Sequence, residues 1–202
     1  MTVFNKIEQK LQQFSRKYYT NELIKGGILF LSLGLIYLFF TLFIEYFLWL
    51  QPTARTLLFW LFIIVELFLF FRFICFPIFK IFGLQQGISF EEASKIIGNH
   101  FPEVKDKLLN VLQLQQNNQQ SDLLLASIEQ KSVELQPIYL NKAIDFTKNK
   151  KYLKYALIPL FIWLLSFLTG TSNKLSQSLN RVVNHNIAYT PPAPFYFNLT
   201  AK

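Results

Sequence analysis

Glu66 is the only ionisable side chain in the run WLFIIVELFLFF, residues 60–71. A carboxyl group in such surroundings suits three roles: a structural hydrogen bond, a contact with another membrane subunit, or an ion or proton path. A charge at the centre of a bilayer is costly, so such a residue is paired, protonated or functional. Because burial disfavours the charged carboxylate, we expect Glu66 to be neutral and hydrogen-bonded within a helix bundle.

Two further charged residues flank apolar runs. Glu45 lies beside Tyr46 and Trp49, where we expect its carboxylate to reach headgroup water. Arg72 follows Glu66 by six residues, about 240° round a helix, so we expect it to be a poor partner for Glu66 and to extend towards the membrane surface. Glu66, Glu45 and Arg72 are therefore the candidate polar contacts inside a membrane.

The sequence contains no motif for catalysis, cofactor binding or metal binding. It lacks a G-x-x-x-x-G-K-[ST] phosphate loop, an H-E-x-x-H pair and a Cys/His cluster. The only two histidines, His100 and His185, are far apart in sequence, so a surface or capping role for His100 is favoured over a metal or acid–base role. We therefore expect a chain that is not an enzyme, with no cofactor and no small-molecule substrate.

Three apolar runs must position these residues. The chain is 52% hydrophobic with 23 Phe among 202 residues, more than is usual in a soluble domain. A bilayer core of about 30 Å takes about 20 helical residues. The runs predict transmembrane helices at residues 24–49, 56–76 and 153–171, and therefore an all-α membrane protein.

Lys and Arg are unevenly distributed around these spans. Five lie in the first 25 residues and ten between Pro77 and Tyr155, whereas the turn QPTAR has only Arg55 and the last 32 residues have three. Basic residues resist translocation. The bias predicts a cytoplasmic amino terminus and middle segment and an exported carboxyl terminus. It also accounts for the net charge of +8 without nucleic acid as a partner.

Residues 1–23 are predicted to form an amphipathic helix. Its apolar stripe consists of Phe4, Ile7, Leu11, Phe14 and Tyr18. Two interpretations are open: a helix lying in the membrane interface on lipid headgroups, or a helix that docks on the middle segment and continues into the first span.

Residues 84–150 are predicted to form a small cytoplasmic helical module. SFEE at Ser89 is a capping-box pattern, Pro102 suits a first helical turn, and Ser121 can cap a later helix. We expect its core to contain Leu108, Leu112, Leu124 and Ile128. So short a segment builds only a small core, so we expect the module to pack on the bilayer, on the amino-terminal helix or on a partner.

The exported tail, residues 172–202, is predicted to have three parts. Its first part could continue the third span as a helix through Leu175, Leu179 and Val182. TPPAP is typical of a stiff extended linker, and FYFNLTA alternates like the first strand of an external β domain.

Three stretches, IIGNHFPEVKDKLLNVLQL, LLLASIEQKS and TPPAPFYFNL, resemble the amino-terminal region of a family of large, uncharacterised envelope proteins of Gram-negative bacteria. The resemblance implies an inner-membrane module followed by a long exported region, and adds no catalytic residues. We therefore expect an inner-membrane anchor and scaffold with membrane lipid and other envelope proteins, or a second copy, as partners. The alternative is a subunit of an ion-driven motor, transporter or secretion machine that uses Glu66.

Overall fold

A computed structural model of the protein describes residues 3–116, 122–135 and 137–191, and every regular element in these ranges is helical. The α-helices are α1 (Val3–Leu48), α2 (Pro52–Phe70), α3 (Phe76–Ile81), α4 (Phe90–His100), α5 (Pro102–Gln116), α6 (Asp122–Leu135), α7 (Leu153–Leu168) and α8 (Ser172–Val183). A π-helical turn, Phe71–Cys75, links α2 to α3, and two 3-10 helices, Leu140–Ala143 and Phe146–Tyr152, precede α7.

Three stretches of helix are long and apolar enough to cross a membrane: Asn5–Leu48, Pro52–Ile81 and Leu140–Leu168. They confirm the prediction of three helices that could span a membrane, and the regular elements of the described residues are helical as expected. The predicted strand at residues 195–201 lies outside the described residues.

The turn between the first two spans is shorter than predicted. α1 ends at Leu48, Trp49 turns the chain with a φ of 45°, and Pro52 begins α2. Proline suits the first helical position because its fixed φ is already helical and its missing N–H would be unpaired there. Arg55, which was expected in the turn, therefore belongs to the first turn of α2.

The chain divides into two compact units. The first, Met1–Gly27 with Arg72–Tyr152, is called the helical module below. Its core combines the start of α1 with α4, α5, α6 and the segment before α7. The buried residues of this core are Ile7, Leu11, Phe14, Ala93, Ile97, Val104, Leu108, Val111, Ile128, Leu135, Leu140 and Ile144.

Polar contacts reinforce the docking of α1 on the module. The Lys10 Nζ donates to the Ile138 carbonyl at 3.0 Å, and the Lys17 Nζ donates to the Asn141 carbonyl at 2.7 Å. Of the two interpretations of the amino-terminal helix, the structure shows the second: the helix packs on the middle segment and continues without a break into the first span.

The local signals within the module act as predicted. The Ser89 side chain accepts from the Glu92 amide, and the Glu92 side chain accepts from the Ser89 amide, which completes the capping box of α4. Pro102 begins α5. The predicted core residues Leu108 and Ile128 are buried. Ser121 and the side chains of Phe4, Leu112 and Leu124 lie outside what the structure describes.

One glycine in the module marks a close helix approach. A Cβ atom on Gly26 of α1 would overlap the backbone carbonyl oxygen of Phe73, whereas a Cβ on the neighbouring Gly27 would meet nothing within 4 Å. Only glycine therefore fits at position 26 without a shift of the backbone.

The second unit, Ile28–Phe71 with Leu153–Lys202, is called the apolar unit. Its helix α7 leaves most of its large apolar side chains exposed, among them Leu157, Leu160, Phe161, Trp163, Phe167 and Leu168. A continuous apolar surface of this kind requires cover by lipid or by protein.

The tail forms the expected helix through Leu175, Leu179 and Val182, but the expectation that this helix continues the third span is wrong. α7 ends at Leu168, Gly170 has a φ of +68°, and α8 starts afresh at Ser172. The break follows from packing, because Leu175 and Val182 of α8 are buried against Leu42 of α1. Leu179, placed on the same stripe by the sequence, is 41% exposed.

Candidate functional site

Glu45 lies in the last turn of α1 and is completely buried. Its Oε1 accepts two charged hydrogen bonds, from the Arg55 Nε at 3.1 Å and from the Arg181 Nε at 3.0 Å. Glu45, Arg55 and Arg181 are called the Glu45 cluster below. The cluster joins α1, α2 and α8 through one carboxylate oxygen.

Arg55 is held by backbone groups as well as by Glu45. Its Nη2 donates to the Leu50 carbonyl at 2.6 Å and its Nη1 donates to the Ile187 carbonyl at 2.7 Å. Its guanidinium also lies over the Tyr189 ring, 5.0 Å from the centroid. Arg55 therefore fixes both the α1–α2 turn and the chain that follows α8.

Arg181 reaches Glu45 because of the face that α8 turns inward. Leu175, Ser178, Arg181 and Val182 are buried and recur at helical spacing. The Arg181 Nη2 donates to the Ser178 Oγ at 3.0 Å, and its guanidinium stacks over Trp49, 4.0 Å from the ring centroid. A packed and hydrogen-bonded arginine of this kind holds a fixed geometry.

A second set of contacts fixes the chain just after α8. The His185 ring stacks on Phe59 with centroids 4.6 Å apart, and its Nδ1 lies 2.9 Å from the Thr56 hydroxyl. α8 and the turn that follows it therefore contact Leu42 of α1, the Glu45 cluster and the first turns of α2.

The Glu45 cluster is not neutral. One carboxylate faces two guanidinium groups, and the buried Glu45 Oε2 has no hydrogen-bond partner among the described residues. Buried charges persist where geometry and hydrogen bonds offset the loss of hydration. The cluster therefore carries a surplus positive charge at the end of the α1–α2 hairpin.

The expected position of Glu45 in headgroup water is wrong. A carboxylate so close to an apolar run is desolvated by the helices around it, and the two arginines supply the charge that water would otherwise stabilise. In the sequence, Arg55 and Arg181 stand out only as basic residues that flank the apolar runs. The sequence does contain a signal that Arg181 is buried, because Arg181 lies on the apolar face of a strongly amphipathic segment.

Glu66 lies near the middle of the Pro52–Ile81 stretch and faces Gly34 of α1. A Cβ atom on Gly34 would lie 2.8 Å from the Glu66 Oε2 and 3.1 Å from its Oε1. The Oε1 is buried, and no described residue forms a hydrogen bond with it. The expected hydrogen bond from within the chain is therefore missing at this oxygen.

Arg72 lies in the π-helical turn and is exposed. Its guanidinium lies over the Phe76 ring, 5.6 Å from the centroid, and it forms no ion pair with any described residue. It lines a cavity of about 470 Å³ in the helical module, together with Tyr18, Tyr19 and Lys80. Arg72 therefore belongs to the helical module, whereas Glu45 belongs to the apolar unit.

Within the described ranges, no group of three or more His, Cys, Asp and Glu side chains is placed to hold a metal ion. His100 is exposed and packs edge-on against Phe101. Comparison with protein-family models, curated proteins and solved structures gave no match to this chain. Among the described residues, the Glu45 cluster and Glu66 are therefore the candidate functional groups.

Proposed function

We propose that the chain is a non-enzymatic anchor and scaffold of the bacterial inner membrane. It links a cytoplasmic helical module to an exported region within an envelope complex of several proteins. The observation that carries the proposal is the Glu45 cluster, because it fixes α8 and the chain as far as Tyr189 on the α1–α2 hairpin. A segment held by buried ion pairs and ring contacts keeps a fixed position on the hairpin, as an anchoring segment requires.

The helix lengths support a chain that crosses the bilayer three times. From Ile28 to Glu45, α1 covers roughly 26 Å at 1.5 Å per residue, close to the thickness of the hydrocarbon core. Residues 7–14 and 88–146 share one core, so the first two spans must return the chain to the side from which it started. The third span, α7, then carries the chain across again.

The charges support the orientation. Fifteen Lys and Arg occupy the proposed cytoplasmic flanks and four occupy the exported ones. The exposed apolar side chains of α7 suit contact with lipid or with a neighbouring span. Lipid, other envelope proteins and a second copy of the chain are the proposed partners.

Co-purification in mild detergent tests the scaffold role with variants that damage one unit at a time. Leu108→Asp buries a carboxylate in the module core, with exposed Asn110→Asp on the same helix as its control. Glu45→Ala breaks the cluster in the apolar unit. A scaffold predicts that Leu108→Asp loses cytoplasmic partners and Glu45→Ala loses exported ones, while membrane levels of the variants stay comparable. Identical partner sets for wild type and both variants would refute it.

Glu66 favours a second candidate, a subunit that moves protons or ions. The observation is the buried Oε1 without a hydrogen-bond partner, near the middle of a candidate span. The test is proton flux into liposomes containing the purified protein under an imposed pH gradient. If the chain is a scaffold only, liposomes that contain wild type or Glu66→Gln should show the same proton flux as empty liposomes. A wild-type flux that Glu66→Gln abolishes would make the motor the better account.

A further inference from the structure

A cavity of about 310 Å³ lies beside the Glu45 cluster in the apolar unit. It is lined by Tyr46, Phe47, Trp49, Lys174, Gln177 and Arg181. The three polar residues come from one face of α8, at spacings of three and four, and the three aromatic residues come from the end of α1 and its turn. The cavity therefore has a basic wall and an aromatic wall.

The basic wall has unused capacity for an anion. The three guanidinium nitrogens of Arg55 all donate hydrogen bonds, to Glu45, Leu50 and Ile187. Arg181 bonds through Nε and Nη2 only, which leaves its Nη1 without a hydrogen bond among the described residues. Arg181 is only 4% exposed, so the orientation of its guanidinium is set by the protein before any ligand arrives.

Two neighbours shape the same wall. The Ser178 hydroxyl accepts from Arg181 and donates to the Lys174 carbonyl, which fixes the direction of the Arg181 bond. The Lys174 side chain lines the cavity and has no ion pair with any described residue. Glu45, the carboxylate of the cluster, does not line the cavity, and no acidic side chain is among its lining residues. An anion there would contact two cationic side chains directly.

We infer that this cavity binds the phosphate group of a phospholipid, with Arg181 and Lys174 as its two cationic contacts. A guanidinium and an ammonium together satisfy the oxygens of a phosphodiester. The surplus charge of the Glu45 cluster favours the same ligand, because a desolvated cation gains most from a nearby anion.

The surroundings indicate a lipid rather than a soluble phosphate. Phe47, which lines the cavity, and its chain neighbour Leu48 are 73% and 64% exposed and offer apolar surface for acyl chains. Tyr46 and Trp49 are the residue types that concentrate at headgroup level. The inference needs the proposed membrane location but not the scaffold role, and the lipid assay below is independent of co-purification.

Native mass spectrometry of the purified protein in detergent tests the inference with dioleoyl phosphatidylglycerol as the probe. The key variant is Lys174→Glu, which changes an exposed side chain outside the Glu45 cluster; Lys131→Glu on α6 is the charge-matched control. We expect one lipid per wild-type chain, about tenfold weaker binding by Lys174→Glu, and unchanged binding by the control. Circular dichroism confirms that both variants keep the wild-type helix content.

Inorganic phosphate separates the two sources of the anion. We expect that 10 mM phosphate, roughly a hundredfold above the lipid used, neither binds at a comparable level nor displaces the lipid, because it lacks acyl chains. Bound phosphate without bound lipid would overturn the lipid inference. Equal lipid binding by wild type, Lys174→Glu and Lys131→Glu would overturn the site itself.

Discussion

A single carboxylate oxygen of Glu45 accepts hydrogen bonds from both Arg55 and Arg181. The charge of Glu45 therefore stabilises both buried guanidinium groups. Without it, each guanidinium would be buried with no carboxylate partner among the described residues. The cost of removing one partner from such a group exceeds the net value of the intact group, because the remaining charges stay desolvated. The most informative substitutions are therefore those that remove one partner and leave the fold otherwise untouched.

Glu45→Ala should lower the stability of the apolar unit by about 3–5 kcal/mol. The measurement is thermal unfolding in detergent followed by tryptophan fluorescence, since all three tryptophans, at positions 49, 60 and 163, belong to this unit. Glu134→Ala, which removes an exposed partner of Lys107, is the control and should have little effect. Equal melting of Glu45→Ala and wild type would contradict the proposed role of the cluster.

Gly34→Ala should destabilise the α1–α2 pair by less than about 1 kcal/mol, because the added methyl group would meet the Glu66 carboxylate, which is the end of a flexible side chain and can shift. Glu66→Ala removes the group with which it collides. In that background Gly34→Ala should cost clearly less, which a double-mutant cycle on unfolding free energies measures. An equal cost in both backgrounds would show that Gly34 and Glu66 are not in contact.

The helices illustrate how far local patterns determine this fold. The α1 stripe of Ile7, Leu11 and Phe14 was predictable from its own helical spacing, and the capping box at Ser89 was predictable because its partner, Glu92, lies within one turn. The Glu45–Arg181 contact was not, since it joins residues 136 positions apart and nothing in the local sequence of either indicates the other. The break at Gly170 was not predictable for a related reason. The apolar face of α8 is buried only when α8 folds onto α1, which is distant in the sequence.

A pair of adjacent glycines tests the helix packing directly. Gly26→Ala should destabilise the protein by roughly 1–3 kcal/mol, because the new methyl group would overlap the Phe73 carbonyl oxygen. Gly27→Ala meets open space and should stabilise the helix by up to about 1 kcal/mol, since alanine is the better helix former. Urea or thermal unfolding of the two variants in one detergent gives the comparison. Shifts of the same sign and size would mean that α1 does not approach Phe73 closely.

At the scale of the whole molecule, three candidate spans connect a helical module to a carboxyl-terminal segment fixed by buried ion pairs. The apolar spans and their flanking charges were predictable because hydropathy and Lys/Arg counts are properties of the sequence alone. The docking of α1 was predictable only as one of two alternatives, because an amphipathic stripe suits lipid and protein equally well. α1 packs on protein because the small module completes its core with Ile7, Leu11 and Phe14.

The central claim is that the helical module and α8 lie on opposite sides of a membrane, and two-sided cysteine labelling tests it most directly. With Cys75→Ser removing the only native thiol, Asn110→Cys reports the module and Asn184→Cys reports the end of α8, both at exposed positions. An impermeant maleimide is applied to spheroplasts before and after permeabilisation. We predict that Asn184→Cys is labelled in intact spheroplasts and Asn110→Cys only after permeabilisation. Labelling of both positions from the same side, or of Asn110→Cys in intact cells, would contradict the account.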